Sequence, residues 1–117
     1  MDTYEKELVE ASEAISSREF EKALGILSPL AEKQIAGALG LLGVMHQLGE
    51  GVELNGLKAV ELLTRAVELG DATSAHNLGT IYAMGLPDVA QNHEKSRLFY
   101  RKAKEMGAQF APDSFYE

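Results

Sequence analysis

Residues 35–107 carry one pattern twice. Ala38-Leu-Gly-Leu-Leu-Gly43-Val-Met-His-Gln-Leu-Gly49 is answered by Ser74-Ala-His-Asn-Leu-Gly79-Thr-Ile-Tyr-Ala-Met-Gly85. Gly79 lies 36 residues beyond Gly43, and Gly85 lies 36 beyond Gly49. Further on, Lys58-Ala59 returns as Lys95-Ser96. Arg65-Ala66-Val67-Glu68-Leu69-Gly70 returns as Lys102-Ala103-Lys104-Glu105-Met106-Gly107, now at a spacing of 37. The added residue falls at Leu86-Pro87-Asp88, a turn, where extra length costs little. A period in this range marks an array of helical hairpins. Each hairpin has an apolar face it cannot bury alone, so neighbours stack and the core becomes continuous.

Helical spacing of apolar residues places six helices in three antiparallel pairs. The first spans residues 3–16, with Tyr4, Leu8, Ala11 and Ile15 on one face and Asp2 or Thr3 as cap. The second spans 19–33, with Phe20, Ala23, Leu24, Leu27 and Leu30 inward and Pro29 as an interruption. The third spans 35–48. Its Gly37, Gly40 and Gly43 are poor helix formers and make sense where a neighbouring helix must come close. The fourth starts from an Asn55 cap and runs to about residue 69, burying Ala59, Leu62, Leu63, Ala66 and Leu69, with Gly70 as stop. The fifth spans 72–84. The sixth starts from an Asn92 cap and spans 93–106, stopped by Gly107.

At 117 residues the chain is expected to form one domain. It has no cysteine, so disulfides and thiol chemistry are excluded. The longest apolar run, residues 35–48, is too short to span a bilayer. The opening Met1-Asp-Thr-Tyr-Glu-Lys-Glu is acidic and polar, unlike a secretory leader, so the expected location is the cytoplasm. The net charge is −7, unevenly spread. Residues 1–34 hold eight acids and four bases, residues 35–71 five acids and two bases, and residues 72–117 five of each. Such a chain repels nucleic-acid phosphates and attracts basic proteins over distance.

No motif points to catalysis. Gly49-Glu-Gly51-Val52 is glycine-rich, but it follows a helix and matches the repeat's own turn, whereas a phosphate loop follows a strand. His46, His76 and His93 show no i, i+4 pair, and without cysteine there is no zinc pattern. The expectation is a protein without enzymatic activity, metal or cofactor.

The paired pattern resembles the Sel-one-like repeat, the glycine-rich relative of the tetratricopeptide repeat. One copy matches at Ala38, Leu42, Gly43, Gly49, Gly51, Val52, Lys58, Ala59, Ala66, Glu68 and Gly70. The other matches at Ser74, Leu78, Gly79, Tyr82, Gly85, Val89, Lys95, Ala103, Glu105 and Gly107. The departures are His46 where the family prefers Tyr, Ser96 for Ala, and the Pro87-Asp88 turn without its second glycine. The fold class is then an all-α superhelix of three helix pairs. Residues 1–34 form a tetratricopeptide-like pair, 35–70 and 71–107 the two repeats, and 108–117 a tail whose Phe110, Phe115 and Tyr116 cap the end.

The resemblance implies a curved right-handed superhelix whose inner face, lined by the first helix of each pair, binds other proteins. By alignment that face holds Gly37, Leu41, Val44, Gln47 and Leu48 in one unit. In the next it holds Thr73, His76, Asn77, Thr80 and Met84. Glu10 and Glu13 of the acidic first helix are added as partner-facing charges. The expected function is a protein-binding module. Most specifically it is a monomeric immunity protein, or antitoxin, that covers a basic bacterial toxin domain or nuclease. A scaffold or adaptor in a signalling or envelope complex is the alternative. Neither a nucleic acid nor a membrane is expected as partner.

Overall fold

The computed structural model describes residues 4–108. Six helices follow in order: α1 (Glu5–Ser16), α2 (Phe20–Glu32), α3 (Ala36–Leu48), α4 (Gly56–Glu68), α5 (Ala72–Met84) and α6 (His93–Glu105). Among the described residues there is no strand; an isolated bridge pairs Leu86 with Val89. α1 packs on α2, α3 on α4 and α5 on α6, while α2 against α3 and α4 against α5 join the hairpins. α3 also touches both α1 and α5, so the first helices of the three pairs share one face. This is the all-α superhelix that the repeat pattern requires.

The second helices bury the same positions in every hairpin. Ala23, Leu27 and Leu30 of α2 are followed 36 residues later by Ala59, Leu63 and Ala66 of α4, and 37 later again by Ser96, Tyr100 and Ala103 of α6. In the last two hairpins a glycine of the partner helix lies against this column. A Cβ on Gly43 would come within 2.8 Å of Leu63, and one on Gly79 within 2.5 Å of the Tyr100 ring. Glycine costs helix propensity, and here it is what lets the two helices of a hairpin touch. Ser96 replaces the column's alanine without leaving its hydroxyl unmet, since Oγ donates to the Gly79 carbonyl at 2.8 Å.

The helix starts show how one repeat is fixed to the next. Asn55 accepts from the Lys58 amide at 2.9 Å, and Asn92 from the Lys95 amide at 3.0 Å. α4 has a second cap from outside its own hairpin. Asp88 Oδ1 accepts from the Gly56 amide and Oδ2 from the Leu57 amide, both at 3.0 Å. Three of the four amides that a helix start leaves open are thereby satisfied. The longer turn at Leu86–Val89 is what carries this carboxylate back onto the preceding repeat.

The N-terminal pair closes on the same frame. Gln34 stands 36 residues before Gly70, which is itself 37 before Gly107. All three have positive φ, at 60°, 102° and 98°. In Gln34 that left-handed geometry is strained, and the side chain takes up a bond in return, Oε1 accepting from Arg65 Nε at 2.8 Å.

Some expectations need correcting. α1 begins at Glu5 with Tyr4 at its cap and no side-chain cap bond. The proposed caps Asp2 and Thr3 lie outside the described residues, as do Phe110, Phe115 and Tyr116 of the tail. Leu69, expected in the core, is 39% exposed because the helix has already ended at Glu68. Leu62 is half-buried, and Val67 is buried in the core between them. α2 runs through Pro29 without breaking. Both Pro29 and Gly25, whose carbonyl the proline leaves unbonded, are exposed, so water can take that carbonyl.

Candidate protein-binding seam

The shared face of α1, α3 and α5 holds two cavities along one seam. Each has a volume of about 210 Å³. The first is floored by Leu8, Leu41 and Val44 and walled by Asp71, Thr73, Ser74 and Asn77. The second is lined by Gln47, Leu48, Thr80, Ile81, Met84, Gly85 and Leu86. The repeat explains the alignment: Leu41 and Leu48 on α3 stand 36 residues before Asn77 and Met84 on α5, so both walls share a register.

Glycines hollow out the first cavity. At Gly37 a Cβ would lie 2.7 Å from Leu8 Cδ1, and at Gly40 one would lie 2.6 Å from Ser74 Oγ and 2.7 Å from Asp71 Oδ2. The buried Ser74 hydroxyl donates to Asp71 Oδ2 in a short hydrogen bond. Asp71 stands at the N-cap of α5, yet its side chain makes no cap bond. Asn55 and Asn92, at the caps of α4 and α6, both do. The Asp71 carboxylate is instead turned into the seam, where among the described residues it is the single charged group lining either cavity.

The second cavity is the more apolar. Met84 is 76% exposed and Leu48 55%. Gln47 adds a polar defect: its Oε1 is buried with no hydrogen-bond partner among the described residues.

The residues singled out from sequence divide by location. Leu41, Thr73 and Asn77 line the first cavity, and Gln47, Thr80 and Met84 the second. His76 lines neither. Its ring lies 5.2 Å from that of Tyr100, between α5 and α6, and burial holds its imidazole below the ordinary value of 6.5. Thr80 is drawn the same way, its hydroxyl 2.9 Å from Tyr100 Oη. Glu10 faces Lys22 of α2 at 3.8 Å, and Glu13 is exposed on α1; neither lines the two seam cavities. Asp71 and Leu8 were missed. A cap-position aspartate reads as a cap, and the space beside Gly40 of α3 that receives its carboxylate is tertiary.

A larger hollow of about 680 Å³ lies between α2 and α4, also missed from sequence. Among the charged residues that line it, Arg65 bonds Gln34 and, at 3.5 Å, Glu68. Among the described residues no three His, Cys, Asp or Glu side chains gather in a way that could hold a metal ion. None of the described helices is long and apolar enough to cross a membrane.

The family model for the Sel1 repeat matches residues 36–71 and 72–107. The chain belongs to the Sel1 repeat family. Sel1 repeats mediate protein–protein interaction, which agrees with a face that offers hollows rather than reacting groups. Among solved structures, the chain is similar to a Sel1 repeat protein from Oxalobacter formigenes, with a TM-score of 0.74 and 27% identity, over 87% of this chain and 40% of that one. It is also similar to a protective antigen present in uropathogenic Escherichia coli strains that displays the same fold, with a TM-score of 0.72 and 25% identity. That match covers 87% of this chain and 22% of the antigen. The chain therefore spans less than half the length of either. No curated protein matches it.

Proposed function

We propose that this Sel1 repeat protein is a non-enzymatic binding module whose α3–α5 seam holds a basic partner. In its most specific form it is a cytoplasmic immunity protein that covers a toxin domain or nuclease. The carrying observation is the seam itself: two hollows in one register, a diverted carboxylate in the first and the exposed Leu48 and Met84 at the second. Charge supports the sign of the partner. The seam's charged group is acidic, and the net charge of −7 resides in residues 1–71. Acidic inhibitors of basic enzymes gain fast, salt-dependent association from such a field.

Capture from the native host at low and high salt tests this. The expected result is a basic protein, identified by mass spectrometry, that is released as salt rises. Capture that ignores salt, or of acidic proteins alone, contradicts it. A scaffold or adaptor role is the second reading, favoured by similarity to two considerably longer Sel1 repeat proteins. It predicts several partners at once and no toxin gene beside this one.

A further inference from the structure

We infer that residues 109–117 dock as a helix on the side of α6 that no described helix covers, in the register of a further repeat. The inference does not depend on what binds at the seam.

The exit from α6 comes first. Each hairpin of the stack ends in the same turn. The Gln34 amide donates to the Ala31 carbonyl, and the Ile35 amide to that of Leu30. Gly70 and Asp71 donate to Val67 and Ala66 in the same way, and Gly107 and Ala108 to Lys104 and Ala103, all at 2.9–3.1 Å. Ile35 and Asp71 are the cap residues from which α3 and α5 start. Ala108 stands at the corresponding point and is buried. The chain thus leaves α6 as it leaves α2 and α4. Each of those is packed against the first helix that follows it, α2 by α3 and α4 by α5. Among the described residues α6 packs on α5 alone.

The sequence beyond the exit fits that place. Ala108, Ala111, Pro112 and Phe115 recur at i, i+3, i+4 and i+7, one apolar face of a helix. They follow Asp71, Ser74, Ala75 and Leu78 by 37 residues. On α5, Ser74, Ala75 and Leu78 are fully buried, and the last two share a core cluster with Leu63 and Val67 of α4. Gln109, Asp113, Ser114 and Glu117 fall away from the apolar face. On α6 the receiving places hold Arg97, Tyr100 and Lys104, each 37 residues after Val60, Leu63 and Val67. Arg and Lys stems cover apolar surface while their charges stay in water, so these positions can still receive a ring. Nine residues make about two and a half turns, too few to hold without packing. Pro112 removes one hydrogen bond, as Pro29 does within α2 without breaking it.

The register is tested with cysteine pairs, which are the only thiols in a chain that has none of its own. A Cβ on Gly40 would lie 2.6 Å from Ser74 Oγ, so first helices of successive hairpins come within disulfide reach there. One repeat on, those positions are His76 and Ala111. The full chain with His76→Cys and Ala111→Cys is oxidised by glutathione disulfide and followed by intact mass and peptide mapping. An intramolecular bond is expected, forming at least about tenfold faster than in His76→Cys with Asp113→Cys, whose second thiol lies on the opposite side. Equal rates for the two pairs overturn the inference, and so does a bond formed mainly between molecules, which would put a second copy at this place.

Phe115→Asp in the otherwise native chain guards against a cysteine pair that fails to fold. Hydrogen exchange at the α6 amides should then quicken about tenfold, while Asp113→Asn leaves it unchanged. Exchange on α6 that ignores Phe115→Asp overturns the inference and makes the cationic side of α6 itself the end of the stack.

Discussion

Gly79 shows how much a single missing side chain holds in place. A Cβ there would lie 2.5–2.9 Å from three atoms of the buried Tyr100 ring. Gly79→Ala should gain about 1 kcal/mol of helix propensity and lose about 1–3 kcal/mol to overpacking, so urea unfolding should show a net loss of stability. Gly25→Ala on α2 is the control, since nothing lies within 4 Å of a Cβ at that site. There the propensity gain of up to about 1 kcal/mol should appear unopposed. Equal effects at the two glycines would contradict the close-approach account. His76 adds a pH dependence. Burial lowers its folded pKa below 6.5, so as acid is added the unfolded chain takes up the proton first. Stability should therefore fall from about pH 6.5 downward until the folded imidazole also titrates, with no contribution above that window. His76→Gln should flatten that part of a stability–pH profile; an unchanged slope would contradict it.

Between elements, the joints are as informative as the helices. The Asp88 carboxylate takes two amides of α4 from the turn of the next hairpin. Asp88→Ala should cost about 1 kcal/mol, the usual value of a helix cap. The amides of Gly56 and Leu57 should then exchange faster with solvent, while those at the start of α6, capped by Asn92, are unaffected. Local signals of this kind were legible only where both partners sit close in sequence. Asn55 and Asn92 could be read as caps because their acceptor and donor are three residues apart. The bounds of α5 were legible from Gly85 and the apolar spacing. Asp88 was not, because its partners lie 31 and 32 residues back. Asp71 was not legible as a site residue either: Ser74 is only three residues on, but the space at Gly40 that takes its carboxylate lies on another helix. Leu69 was misplaced by one turn-end residue, where periodicity continues but the helix does not.

For the molecule as a whole, the repeat period fixed the stacking, and the stacking brought the first helices onto one face. The glycine and alanine columns made that much readable in the chain. The division of the face into two cavities was not, because it depends on Leu8 of the first hairpin and on Thr80 and His76 being drawn toward Tyr100. Charge follows the same axis, with the acidic excess in the first two hairpins and α6 carrying five bases against two acids. A basic partner approaching the seam is thus attracted toward the N-terminal half and repelled by the last helix. Hydrogen–deuterium exchange of the chain with and without its captured partner tests the central claim most directly. Protection of α3 and α5 along the seam, with the α2–α4 side unchanged, is the predicted result; protection confined to α2 and α4, or to α6, would contradict it.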